Sequence, residues 1–393
     1  MPAPKLLFYT HGLVDGGAER LWSCLASEMH RRGYEVIFAQ DFEAQDNRAN
    51  LDPDIPLHTL GRRHFKAFRA LKALIEREQP DVTLSAVGGS NLKIILALKL
   101  ARSSAKSIIS YHGFQEWRTG FLSFFTYLGL PFWSVLTDRT VAVSEGLRQA
   151  LESKWGADAT RMRAILNPVF FPPSAPVPST QALAARDDIV LAVGRLMPIK
   201  DFPTLLRAFA RLNRPAARLV ILGQGSELGR IQELVVRYGL EGRVSLPGYS
   251  VEPWHAYEEA KCFVLSSKSE PFGNVIVEAM AHGLPVVATA CAGPNEILEH
   301  GKYGRIVPIG DDIALARAIE AALDDPGDPS MRRKRADCFS FAVRVPAYEA
   351  LIHEVLGLSE PNRSSANREH ATNRIAATEV DIQVTGKEPA PIK

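Results

Sequence analysis

The chain has 393 residues, 46% of them hydrophobic, and a formal charge of +2 at neutral pH. Single cores stop growing near roughly 250–300 residues, so this length predicts more than one domain. A charge so close to balance argues against a nucleic-acid partner. Cys24, Cys262, Cys291 and Cys338 form no CxxC pair and read as buried or inert thiols of a reducing compartment.

The first half alternates β-rich runs with helical stretches. Strands are predicted at Leu6 to Tyr9, Glu35 to Ala39, Asp81 to Ala86, Ser107 to Ser110, Arg139 to Val143 and Met162 to Leu166. Helices are predicted at Ala18 to Arg31, Lys66 to Glu78, Leu92 to Arg102 and Glu145 to Trp155. The alternation argues for a parallel sheet wrapped by helices. The opening run is broken at Thr10 and His11, which does not suit a signal peptide. The longest apolar run, Phe121 to Leu136, contains Gly129 and Pro131 and is shorter than the ~20 residues needed to span a bilayer. A cytoplasmic protein is expected.

Two loops of this half stand out. Gly12 to Arg20 joins the first strand to the first helix, and Gly16-Gly17 would let backbone approach a ligand and expose free amides at a helix start. An ordinary tight turn explains the loop equally well, and it is not the GxGxxG fingerprint of a dinucleotide site. His112, in Ser110-Tyr111-His112-Gly113, follows a strand end, where ligand-facing loops lie.

Pro168 to Thr180, with five prolines, reads as a linker or hinge. The alternation then restarts with strands at Ile189 to Val193, Leu219 to Leu222, Val244 to Leu246, Cys262 to Ser266, Val286 to Ala288 and Arg305 to Val307. Helices are predicted at Phe202 to Leu212 and Glu227 to Tyr238. Two such domains leave a cleft where the carboxyl ends of both sheets face each other. Gly194 to Asp201 carries Arg195 and Lys200, the cations a diphosphate needs. Gly223-Gln224-Gly225 is a weaker turn signal.

The central stretch runs from Ser269 to Ala288. Gly273 can open a helix there, Gly283 can close it, and Pro285 bars continuation. Glu270 and Glu278 bracket a helix start whose amides attract anions. An anion site between two acceptors suits a phosphate joined to hydroxyls, as in a nucleotide-sugar. A glycosidase carboxylate pair is the weaker reading. Neither HExxH nor a clustered Asp/His set appears, so no metal site is expected.

These motifs, in this order, resemble retaining glycosyltransferases of family 4. The E-x7-E run from Glu270 to Glu278 carries the likeness, with Val193-Gly194-Arg195-Leu196 and Lys200, Leu222-Gly223-Gln224-Gly225, Gly16-Gly17-Ala18-Glu19 and Val143-Ser144. Gly293-Pro294-Asn295-Glu296-Ile297-Leu298 and Gly301-Lys302-Tyr303-Gly304 are similar to the subset that builds bacterial surface polysaccharides. Cys291-Ala292-Gly293 departs from the glycine pair of many relatives.

The resemblance implies an α/β, two-Rossmann GT-B architecture whose last helix crosses back onto the first domain. The expected division is 1–170 for the acceptor-side domain, 171–185 for a linker, 186–340 for the nucleotide-sugar domain, 341–357 for the crossover and 358–393 for a disordered tail. It also implies roles. Arg195 and Lys200 would hold the donor diphosphate, Glu278 the ribose and Glu270 the transferred sugar. Amides at Phe272, Gly273 and Asn274, with Gly223, would meet phosphate or sugar. Gly16 and Gly17 would close over the donor, and His112 would touch its sugar. No cofactor is implied; the nucleotide-sugar, most readily a UDP-sugar, is a substrate.

The acceptor implied is a glycan or polyprenyl-linked molecule. Arg62 to Lys72 mixes cations with apolar residues, and Phe114 to Leu136 is aromatic-rich. Both would let a peripheral protein rest on an anionic membrane, or simply be an amphipathic helix and a core helix. A GT-B epimerase and a non-catalytic nucleotide-sugar-binding or scaffold protein are the alternatives.

Overall fold

A computed structural model describes residues 3–359, except 15, 45, 119, 173–176 and 251–252. The expected disordered tail falls outside the described residues from 360 onward.

The first sheet contains β1 (Lys5–Thr10), β2 (Glu35–Gln40), β3 (Leu57–Thr59), β4 (Val82–Ala86), β5 (Lys106–Tyr111), β6 (Arg139–Ala142) and β7 (Met162–Ala164). It is all parallel, in the order β3-β2-β1-β4-β5-β6-β7. The second contains β8 (Ile189–Val193), β9 (Arg218–Leu222), β10 (Val244–Gly248), β11 (Cys262–Leu265), β12 (Val286–Thr289) and β13 (Arg305–Val307). It too is parallel, ordered β10-β9-β8-β11-β12-β13. Helices cover both faces of each sheet, and the inner strands are accordingly buried on both faces, with Thr83, Ser85 and Ser110 among their mainly apolar side chains.

One face of the first sheet packs Leu6 and Phe8 against Trp22 of the helix Gly17–Arg31 and against Val345, Tyr348 and Ile352 of the helix Phe341–Leu356. That last helix leaves the second domain after a bridge between Val169 and Ser340 and completes the core of the first. The other face packs Leu7, Tyr9 and Ile109 against the helices His64–Glu78, Gly88–Ala101 and Glu145–Trp155. In the second domain the helix Asn274–Ala281 starts at Gly273 (φ +107°) and is closed by Gly283 (φ +74°). Arg332 donates to the Gly283 carbonyl twice, at 2.9 and 2.8 Å.

Four local expectations differ from the fold. β3 was not anticipated, because three residues give too little pattern to detect. A short helix, Thr180–Ala184, capped by Ser179, lies inside the expected linker. Cys338 is exposed, on the solvent side of its turn, and does not share the burial of Cys262 and Cys291. The run from Phe121 is two helices, Phe121–Leu128 and Leu130–Leu136, broken at Gly129. It is not a core helix, since Phe121, Leu128 and Phe132 are exposed.

Candidate functional site

The carboxyl ends of β8, β9 and β11 present three loops to the cleft. After β8, Lys200 reaches its ammonium to Glu270 Oε2 at 2.5 Å. Ser266 Oγ donates to the Lys200 carbonyl at 2.9 Å, tying the loop to the end of β11. Arg195 on the same loop is exposed and makes no ion pair among the described residues, so its guanidinium is available to an anion. Gly223 is required by crowding: a Cβ there would lie 2.0 Å from the Gly194 carbonyl oxygen, at φ +147°. Gly293 is equally constrained, its Cβ position lying 2.1 Å from the Phe272 carbonyl oxygen. Its amide donates to the Glu270 carbonyl at 3.0 Å, which holds that loop against the helix start.

Phe272 buries its ring against Phe339, leaving backbone toward the cleft. Glu278 lies one turn into the helix and is 4% exposed. Burial pushes its pKa up, against the opposing pull of Arg20 and Tyr257. Tyr257 Oη donates to its Oε2 at 2.8 Å, and Arg20 from the first domain approaches Oε1 at 3.4 Å. The cation of Arg20 also lies over the Trp254 ring at 5.7 Å. Glu278 is therefore an oriented acceptor, held from both domains.

The facing wall comes from the first domain. Gly16 precedes the helix Gly17–Arg31, and a Cβ at Gly17 would sit 3.4 Å from the Asn274 amide nitrogen. The loop thus lies within a side chain's reach of the Asn274 side chain at the opposite helix start. His112 follows β5, with its Nε2 2.9 Å from Ser110 Oγ and its ring edge-on to Trp22. Burial lowers the His112 pKa to about 3, so the imidazole is neutral at physiological pH. The structure brings Lys200 together with Glu270, and Gly17 together with Asn274; it sets His112 on the opposite wall, linked through Trp22 to the helix bearing Arg20.

Comparison with known proteins identifies both halves of the chain. Residues 15–170 match the model of Glycosyltransferase Family 4, and residues 178–338 match that of Glycosyl transferases group 1. The chain belongs to glycosyltransferase family 4. It is similar to the lipopolysaccharide core biosynthesis glycosyltransferase LpsE of Rhizobium meliloti (strain 1021), 38% identical over 38% of this chain and 42% of the relative. The chain therefore spans less than half the length of that relative. LpsD of the same organism, also named a lipopolysaccharide core biosynthesis glycosyltransferase, is 26% identical over 81% of this chain and 88% of its own. Among solved structures, Anabaena HepE (Alr3699) in complex with UDP and glucose superimposes with a TM-score of 0.74 at 20% identity, over 90% of this chain and 99% of that one. The fold is GT-B.

Several residues of this family 4 chain escaped sequence reasoning. Arg20 and Tyr257 meet Glu278, and Trp254 meets Arg20 and Tyr257, only through tertiary contact, and no spacing announces them. Asn167 Nδ2 donates to Asn274 Oδ1 at 3.1 Å, joining the approach to the hinge to the helix Asn274–Ala281. Glu296 is placed across the cleft, where its Oε2 accepts the backbone amide of Glu145 at 3.1 Å. Glu116 is buried and accepts the amides of His112 at 2.6 Å and Gly88 at 3.1 Å. It clamps the His112 loop to a helix start. The trio His30, Asp52 and Asp54, whose ligand atoms lie within 4.8 Å, is at the amino-terminal edge of the first sheet, away from the cleft.

Proposed function

We propose that the chain is a retaining glycosyltransferase that moves a sugar from a nucleotide-diphosphate sugar, UDP-linked, to a glycan or polyprenyl-linked acceptor. Its product would serve surface polysaccharide or lipopolysaccharide assembly. The observation that carries this is the paired arrangement at one helix start: Lys200 on Glu270, Arg20 on Glu278, and Asn167 on Asn274. The names of LpsE and LpsD and the UDP and glucose held by HepE support the same reading.

On this reading Arg195 and Lys200 hold the diphosphate, Glu278 the ribose and Glu270 the transferred sugar. The amides of Phe272, Gly273 and Asn274 cradle phosphate or sugar at the positive end of the helix. His112, neutral, hydrogen-bonds the sugar from the other wall. The acceptor oxygen bonds to the anomeric carbon on the face that the leaving diphosphate quits, and its proton passes to a leaving phosphate oxygen. No enzymic nucleophile and no protein-held metal take part; the protein supplies positioning and charge stabilisation.

A panel of UDP- and GDP-sugars with lipid-linked acceptors should give transfer with retained configuration. Glu270→Ala and Lys200→Ala should each lower kcat/KM by at least tenfold, since each change also strands the other partner of the ion pair. Transfer that survives both unchanged would refute the assigned site. An isomerase of the same fold would instead yield epimerised nucleotide-sugar without acceptor.

We place the protein at the inner face of the plasma membrane. The helices His64–Glu78 and Phe121–Leu128 both pack on Gly88–Ala101, and they leave Phe65 and Phe121 exposed (73% and 76%), with Lys66 and Arg69 exposed on the first of them. No helix among the described residues is long and apolar enough to cross a membrane. Exposed aromatic rings together with exposed cations suit an anionic leaflet. Charge reversal at Lys66, Arg69 and Lys72 should abolish sedimentation with phosphatidylglycerol vesicles; undiminished sedimentation would count against the assignment.

A further inference from the structure

In the first sheet the chain steps outward from β1 to β2 and β3, then crosses back to β4 on the other side of β1. Ligands of open parallel sheets sit at the carboxyl ends of the strands where that reversal occurs. Five polar or charged side chains converge beside this point: Tyr9 from β1, His11 just past it, Asp41 just past β2, His64 from the helix after β3, and Lys93 from the helix after β4.

Asp41 and Lys93 are 1% and 5% exposed, and Tyr9 is fully buried. Tyr9 Oη donates to Asp41 Oδ1 at 2.7 Å, while the Lys93 ammonium pairs with Asp41 Oδ2. His11 Nδ1 lies 2.7 Å from the same Oδ2. Burial alone would raise the Asp41 pKa, but hydrogen bonds from His11, Lys93 and Tyr9 outweigh it and keep the carboxylate ionised. An ionised carboxylate only accepts, so a hydrogen of His11 is on Nδ1, and in the neutral ring Nε2 is the acceptor. The His11 side chain is 49% exposed, which opens Nε2 to the crevice.

The neighbours extend this into a surface. The Phe42 ring meets His11 edge-on with centroids 4.9 Å apart, and the Arg62 guanidinium lies 5.9 Å over Phe42. His64 stacks loosely on His11 at 6.0 Å. A locked nitrogen acceptor next to an aromatic ring offers a hydroxyl partner and an apolar surface together, the combination a pyranose presents in reverse. Burying an ion pair costs desolvation, and what that cost secures here is a single ring orientation for His11. The site is also at the right remove. β1 and β5 are two strand spacings apart, so His11 stands about 10 Å from His112 along the same sheet edge. That is one to two sugar lengths from the wall assigned to the donor.

We propose that His11, held by Asp41 and Lys93 and flanked by Phe42, forms the subsite for a sugar unit of the acceptor, one of whose hydroxyls donates to His11 Nε2. The inference rests on the glycosyltransferase reading and deepens it by naming where the acceptor is read. His11 is a specificity residue here, taking no part in bond making.

The test is saturation-transfer NMR on the full chain with UDP and the methyl glycosides of glucose, galactose, mannose and N-acetylglucosamine, each glycoside signal normalised to the UDP signal of the same sample. At least one glycoside should bind wild-type protein, with a signal at least fivefold weaker in His11→Ala. His11→Gln, whose amide oxygen reaches toward the Nε2 position, should restore part of it, and the melting temperature of each variant reports folding. A signal indifferent to His11→Ala, or no signal from any of the four, overturns the subsite. Wild-type protein that binds neither UDP nor a UDP-sugar overturns the transferase reading itself, and the acceptor assignment with it.

Discussion

Glu116 illustrates how a single buried residue ties the site to pH. Its two oxygens accept amides from His112 and Gly88, yet burial still raises its pKa to about 7, and the negative charge of Glu19 adds to the rise. The folded state thus holds the proton more tightly than the unfolded chain does. Its contribution to stability is complete below the ordinary glutamate value of 4.5 and is lost as pH rises through about 7. The difference is on the order of 3 kcal/mol. Glu116→Gln should flatten the pH dependence of the melting temperature between pH 5 and 8; an unaltered slope would show that Glu116 does not titrate there. Tyr257→Phe tests the neighbouring wall. Loss of the hydroxyl that Glu278 Oε2 accepts should cost roughly 1–3 kcal/mol of stability, because the buried carboxylate is left short of a donor. Neither residue announces itself in the sequence. Glutamate and tyrosine are common, and what singles these two out is burial against a partner 28 and 21 positions away.

Elements divide by how much of their definition is local. The helix Glu145–Trp155 begins at Ser144, whose hydroxyl accepts the Leu147 amide, and ends at Gly156 in the left-handed region; both signals are in the sequence, and both bounds match the expectation. The helix Gly88–Ala101 begins four residues earlier than its apolar pattern suggests, with the Gly88 amide donating to Glu116, a partner no local rule supplies. Glycines separate in the same way. At Gly293 a methyl group would meet the Phe272 carbonyl oxygen at 2.1 Å, whereas at Gly229, in the helix Leu228–Arg237, it would meet nothing within 4 Å. Gly293→Ala should therefore destabilise by roughly 1–3 kcal/mol or more and weaken nucleotide-sugar binding. Gly229→Ala should stabilise by about 0.5–1 kcal/mol. Thermal melts of the two variants decide the matter; equal effects would mean the crowding at Gly293 is relieved by a small backbone shift.

At the scale of the molecule, the helix Phe341–Leu356 binds the two domains into one unit. Tyr348 is fully buried against Trp22, and its hydroxyl finds no hydrogen-bond partner among the described residues. Tyr348→Ala should cost about 3–5 kcal/mol through the cavity it leaves. Tyr348→Phe should raise stability by about 1 kcal/mol, since it removes an unsatisfied polar atom and little else. A destabilised Phe variant would reveal a partner for the hydroxyl. Arg32 and Tyr34 reach Glu349 across this contact at 3.0 and 3.2 Å, so a polar rim encloses the apolar seam. The sequence by itself determined the βα rhythm, the two parallel sheets and the motif-bearing loops, because strand and helix periods, helix stops and turn glycines act over a few residues. Only the tertiary structure decided that Lys200 meets Glu270, that Arg20 and Tyr257 hold Glu278, and that His11 is locked by Asp41 and Lys93. Those pairings depend on which strand ends lie side by side, and that is set by sheet order and domain packing across tens to hundreds of residues.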